Sequence, residues 1–127
     1  MHAIFPLAYR QSRYEAAGAV VRIGCRSVAM DRLLSVHRSR TGTFVTAFNP
    51  FSRRMPLGWN RRMQARLEQT ARRWPALAAK GSWRGWCEAH LLLFGNWRPA
   101  IRLARSFRQN AVVIIHLRQS GRLVSTS

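Results

Sequence analysis

The chain's 127 residues and 47% apolar fraction supply one core, so one domain over 1–127 is expected and disorder throughout is excluded. The charge is lopsided: 22 Lys and Arg face four acids, a formal net charge of +18, and every basic residue except Lys80 is arginine. Codon bias accounts for arginine over lysine but not for the scarcity of acids, so an anionic partner is one reading of the composition.

The apolar runs Leu91–Phe94 and Ala111–Ile115 are about a quarter of the ~20 residues a membrane helix needs, so no membrane partner is expected. The start, MHAIFPLAYR, has an apolar patch interrupted by Pro6 and no basic region ahead of it, so no targeting segment is expected. Cys25 and Cys87 then read as reduced thiols of a cytoplasmic protein.

In chain order, Tyr9 to Gly24 predicts a β-hairpin turning at Ala16-Ala17-Gly18. Ser27 predicts the N-cap of a helix running to about Ser39, with Met30, Leu33, Leu34 and His37 on one face and Asp31 in the first turn. The stretch Thr41–Leu67 organises the rest: a short strand through Phe44, Val45, Ala47 and Phe48, a break at Asn49-Pro50, and a helix opened by Gly58 and Asn60. Met63, Leu67, Ala71 and Trp74 form that helix's apolar stripe, and Pro75 ends it. Ala76 to Trp86, with Gly81, Ser82 and Gly85, is expected to be a loop.

A strand over Ala89–Phe94 follows, then a third helix with Pro99 in its first turn and Ala100, Leu103, Ala104 and Phe107 buried. Asn110 suits the left-handed position after that helix. Ala111–His116 predicts a strand, Arg118–Gly121 a turn, and Leu123-Val124 a closing strand. The expected fold is α+β: a single mixed sheet of about four to six strands, with about three helices packed mainly on one face.

Several of these pieces together resemble a small bacterial family known as domain of unknown function 3293. They are Tyr9…Tyr14, Val21-Arg22-Ile23-Gly24, Thr46-Ala47-Phe48-Asn49-Pro50 with Ser52, Asn60-x-Arg62, Trp86-x-Glu88 and Phe107-x-Gln109-Asn110-Ala111, and they span nearly the whole chain. Arg108 stands where the family often has Gly, and His90 where a Ser commonly follows the Glu. The resemblance implies a fold and a bacterial, cytoplasmic setting, and it implies no activity.

The candidate binding residues are Asn49, Ser52, Asn60, Arg62, Glu88, Gln109 and Asn110. A strand end meeting a helix start, with Arg61 and Arg62 beside free amides, suits a phosphate or carboxylate. Each residue also has an ordinary structural reading. Asn49 to Ser52 fits a type I turn, Asn60 an N-cap, Asn110 a C-terminal cap, and Glu88 an ion pair with a nearby arginine.

Gly-x-Ser-x-Gly, a phosphate loop and a dinucleotide glycine fingerprint are all missing from the sequence, so no catalytic constellation is predicted. Cys87 and His90 lie three apart, but Cys25, His37 and His116 supply no second close pair, so neither a metal site nor a cofactor is predicted. The leading expectation is a small binding or accessory module acting through the Asn-Pro turn and the following helix start. The alternative is a basic nucleic-acid-binding protein using Arg53, Arg54, Arg61, Arg62, Arg66 and Arg73, with Trp59, Trp74, Trp83, Trp86 and Trp97 interleaved. An enzyme using Glu88 as a base on an anionic substrate ranks third.

Overall fold

The computed structural model describes residues 7–127; Met1–Pro6, part of the stretch scanned for a targeting segment, lie outside the described residues. A short helix α1 (Leu7–Gln11) precedes strands β1 (Arg13–Ala16) and β2 (Ala19–Val21). The hairpin is therefore shorter than expected, and Tyr9 sits on α1 rather than in its first arm. Its two-residue loop has Ala17 at φ 49° and Gly18 at φ 81°, the left-handed pair whose twist matches that of the flanking strands.

The same device recurs where a loop was expected. Arg84 at φ 48° and Gly85 at φ 79° join β4 (Ala76–Trp83) to β5 (Trp86–Phe94) in a long hairpin. Alanines and Gly81 give β4 weak strand propensity, but it is hydrogen-bonded to β1 on one side and β5 on the other. Pairing on both edges overrides propensity. The register sets Gly81 opposite Glu88 and Ala79 opposite His90.

The remaining elements are α2 (Val28–Val36), β3 (Thr41–Val45), α3 (Leu57–Thr70), α4 (Trp97–Ser106), β6 (Ala111–His116) and β7 (Arg122–Ser125). Seven strands form one sheet in the order β2-β1-β4-β5-β3-β6-β7. Every strand pair is antiparallel, so the expectation of a mixed sheet of four to six strands is corrected, and four helices are described where three were expected. Beyond the ends of the strands, Ile23 bridges Gly121 and the Gly24 amide donates to the Gly121 carbonyl at 2.9 Å. The sheet therefore curls until its two edges meet.

Alternation along the strands sorts the side chains into two cores. The inner face gathers Tyr14, Phe44, Leu92, Phe94, Val113 and Ile115 around Met30 and Leu34 of α2. The outer face gathers Val45, Leu91, Leu93, Val112 and Ile114 against Leu67 of α3 and Ala100, Ile101 and Ala104 of α4. Two helices share one face and α2 takes the other.

Ser27 caps α2 as expected, its hydroxyl accepting from the Met30 amide at 3.1 Å, though the helix stops at Val36. His37 beyond it stacks on Phe94 with ring centroids 4.3 Å apart. Asn96 caps α4 by accepting from the Arg98 amide at 3.0 Å. The left-handed position after α4 is filled by Arg108, at φ 59°, rather than by Asn110. Glycine adopts that conformation without steric cost, whereas Arg108 carries a Cβ into it. Among the described residues no helix is long and apolar enough to cross a membrane.

Candidate functional site

After Val45 the chain leaves the sheet, and its backbone groups must find partners elsewhere. Four side chains supply them. Gln64 Oε1 accepts from the Ala47 amide at 2.9 Å, and the Thr46 hydroxyl accepts from the Phe48 amide at 3.1 Å. Gln109 Nε2 donates to the Phe48 carbonyl at 3.0 Å, and Asn60 Oδ1 accepts from the Asn49 amide at 2.9 Å. Asn60 Nδ2 returns a bond to Asn49 Oδ1 at 2.9 Å, which also accepts from the Met55 amide at 2.9 Å. Asn60 is buried inside the first turn of α3, which begins at Leu57 after Pro56, so it is a strut and not the expected N-cap.

The Asn49–Ser52 turn is not type I either. Asn49, Phe51 and Ser52 all have positive φ, at 48°, 53° and 61°, where a type I turn needs about −90° at its third residue. The Phe51 amide donating to the Arg108 carbonyl at 2.7 Å helps hold this shape.

These struts fix one wall of a cavity of about 530 Å³ that continues the inner face of the sheet. Period-two alternation delivers its lining. Trp86, Glu88 and His90 project from β5, Gly81 and Trp83 from β4, Tyr14 from β1 and Phe44 from β3. Tyr9 of α1, Asn49 and Ser52 close one side, and Arg54 and Arg84 line it with Trp86 and Trp83. Arg54 lies 4.5 Å over the Trp86 ring and Arg84 4.8 Å over Trp83. Gly81 is the floor: a Cβ there would meet His90 Cε1 at 2.9 Å and Tyr14 Cε1 at 3.3 Å.

Burial pushes the Glu88 carboxyl above its ordinary pKa, and the neighbouring Asn49 side chain offsets part of that rise. The expected ion pair with an arginine is not formed; among the described residues the one ion pair is Arg26–Asp31, at 3.2 Å. Burial pulls the His90 imidazole down to about 4, with a hydrogen bond to the Glu88 backbone acting the other way. His90 Nδ1 lies 3.1 Å from the Glu88 carbonyl oxygen. A carbonyl only accepts, so Nδ1 carries the proton and Nε2 presents a lone pair. Tyr14 meets the His90 ring edge-on at 5.7 Å, and burial holds its phenol well above the ordinary value. Burial also raises Tyr9, against the Ser52 hydrogen bond that lowers it, while the Glu88 charge adds to the rise.

Of the residues expected at a site, Asn49, Ser52, Glu88 and Gln109 line the cavity. Asn110 joins them through its Nδ2, 3.1 Å from Ser52 Oγ, which lies 3.4 Å from the Tyr9 hydroxyl. Asn60 stands behind Asn49, and Arg62 is exposed on α3 away from the lining. Asn60 and Arg62 of the helix start therefore do not join the residues that line the cavity. Tyr9, Tyr14 and His90 were not among the candidate binding residues and Trp86 was named only beside the rival arginines, although Trp86-x-Glu88-x-His90 carries the period-two signal of one strand face.

The rival arginines, Arg53, Arg54, Arg61, Arg62, Arg66 and Arg73, are all exposed. Trp74 instead braces the fold, its indole donating to the Phe94 carbonyl at 3.1 Å. Cys87 is exposed and lies three residues from His90 along β5, hence on the opposite face.

A family model described as a protein of unknown function, DUF3293, matches residues 45–112. That span runs from the end of β3 into β6 and includes the struts, Glu88, His90 and Gln109; the Tyr9…Tyr14 and Val21–Gly24 pieces lie outside it. No curated protein and no solved structure matches the chain.

Proposed function

The chain belongs to the DUF3293 family of proteins of unknown function, and we propose that it is a small binding module whose inward cavity takes a small molecule. The observation that carries this reading is the cavity itself, with one carboxyl and one imidazole set in an otherwise largely aromatic lining. Glu88 has no cationic partner among the described residues, and His90 Nε2 has an open lone pair; both project into the same space. Burial shifts the titration of both groups away from their ordinary values, Glu88 upward and His90 downward, and such shifts concentrate at sites of function. The volume of about 530 Å³ falls within the roughly 300–1,000 Å³ of small-molecule sites. A cytoplasmic single-domain protein is the setting this reading assumes.

Nucleic-acid binding through the exposed arginines ranks second. It rests on a net charge of +18 that a single described ion pair scarcely neutralises. Charge of this kind gives salt-sensitive, sequence-independent attraction and does not account for the cavity.

A fragment library screened by thermal shift tests the proposal, with Glu88→Gln and Trp86→Ala as paired variants. Compounds that stabilise the wild-type chain are expected to lose that effect in both variants, each of which melts cooperatively without ligand. Hits that stabilise all three chains equally would contradict the proposal, as would a screen with no hits.

A further inference from the structure

We infer that the cavity's ligand is an amino-bearing nucleobase carrying a phosphate, an inference that rests on the cavity being a ligand site. The recognition chemistry comes from one strand face. Glu88 and His90 are two residues apart on β5 and both line the cavity, so their side chains leave the same face of the strand. His90 Nε2 is an acceptor, because Nδ1 already spends its proton on the Glu88 carbonyl at 3.1 Å. The Glu88 carboxyl accepts as well. Two acceptors in one wall select N–H donors, such as the two hydrogens of an exocyclic amine.

The other walls are aromatic. Tyr14 and Phe44 lie at 5.7 Å from each other on the inner side, with Trp83 and Trp86 beyond them. Flat apolar walls suit a planar ring. The charged residues beside them are cationic. Arg54 and Arg84 rest on the indoles of Trp86 and Trp83 at 4.5 and 4.8 Å, an arrangement that orients the guanidinium planes and leaves their N–H edges for a phosphate. With +18 on the chain, the field draws anions inward.

Other ligand classes fit less of this. Free phosphate leaves the aromatic walls and the His90 acceptor without a match. An acyl chain offers no donor to the Glu88 carboxyl or to His90 Nε2. A cationic amine answers Glu88 but is repelled by the two arginines. A base with a phosphate could arrive as a free nucleotide or as the end of a single strand, and the measurement separates these.

Titration calorimetry at physiological salt compares AMP, CMP and GMP with UMP, ribose 5-phosphate, the unphosphorylated nucleosides and short single-stranded oligonucleotides. The amino-bearing nucleotides are expected to bind at least roughly ten-fold tighter than UMP, the size of one base-edge contact. Glu88→Gln is expected to erase that preference, and Arg54→Ala with Arg84→Ala to reduce each nucleotide to its nucleoside's affinity. Oligonucleotide binding that depends on Glu88 would identify a strand end as the source. Equal binding of UMP, equal binding of ribose 5-phosphate, or oligonucleotide binding indifferent to Glu88→Gln would overturn the inference. If no nucleotide binds while fragments occupy the cavity, the ligand class is wrong and the binding reading stands. If neither binds, both fall.

Discussion

His90 is where a single residue's environment has the clearest measurable consequence. Burial holds its imidazole at about 4 against an ordinary value of 6.5, so between those values the unfolded chain holds more protons than the folded one. Stability therefore falls as pH drops from about 6.5 towards 4, by up to about 3 kcal/mol from this residue. Glu88 has the opposite sign. Its pKa is raised, so its ionisation costs stability as pH rises through the folded value. Glu88→Gln should accordingly stabilise the protein at neutral pH and change nothing below the ordinary carboxylate range. Denaturant unfolding across the acid range checks both residues: His90→Gln is expected to flatten the acid-side slope, and a slope equal to wild type would contradict the burial assigned to His90.

Among the elements, the segment between β3 and α3 shows how a turn is held without a ladder. Asn60, Gln64 and Gln109 each satisfy a backbone group that left the sheet. Asn60→Ala strips a partner from the Asn49 amide and is expected to cost roughly 1–3 kcal/mol, the penalty of an orphaned buried group. In the same unfolding experiment Arg108→Gly should gain about 1 kcal/mol by relieving a left-handed non-glycine residue. An unchanged midpoint for Asn60→Ala would mean the strut is ornamental.

Helices and strands with strong apolar periodicity were legible in sequence: α2, α3, α4, β3 and β6 all form near their expected places. The β4–β5 hairpin was not, because Ala78, Ala79 and Gly81 hide a strand whose stability comes from two neighbours. Arg84-Gly85 between Trp83 and Trp86 was the available signal, a two-residue hairpin turn. For the site, Asn49, Ser52, Glu88 and Gln109 were legible because turn chemistry and a rare acid draw the eye. Tyr9, Tyr14 and His90 were not, since only the register of β1, β4 and β5 brings them to one cavity.

At the scale of the whole molecule, a curled antiparallel sheet has α2 against its inner face and α3 with α4 on its outer face, and the cavity continues the inner one. Arg54 and Arg84 stand at the cavity, while Arg61, Arg62, Arg66 and Arg73 are exposed on and just after α3. The molecule thus offers a salt-sensitive cationic surface and a cavity whose hydrogen bonds salt screens much less. The two readings of function separate along that line.

The most direct test is to record protein NMR spectra of the wild-type chain with a stabilising fragment or nucleotide, first at low and then at physiological salt. The account predicts shifts concentrated at the Trp83 and Trp86 indoles, Glu88 and the His90 ring, persisting when salt is added. Shifts confined to the α3 arginines and abolished by salt would contradict it.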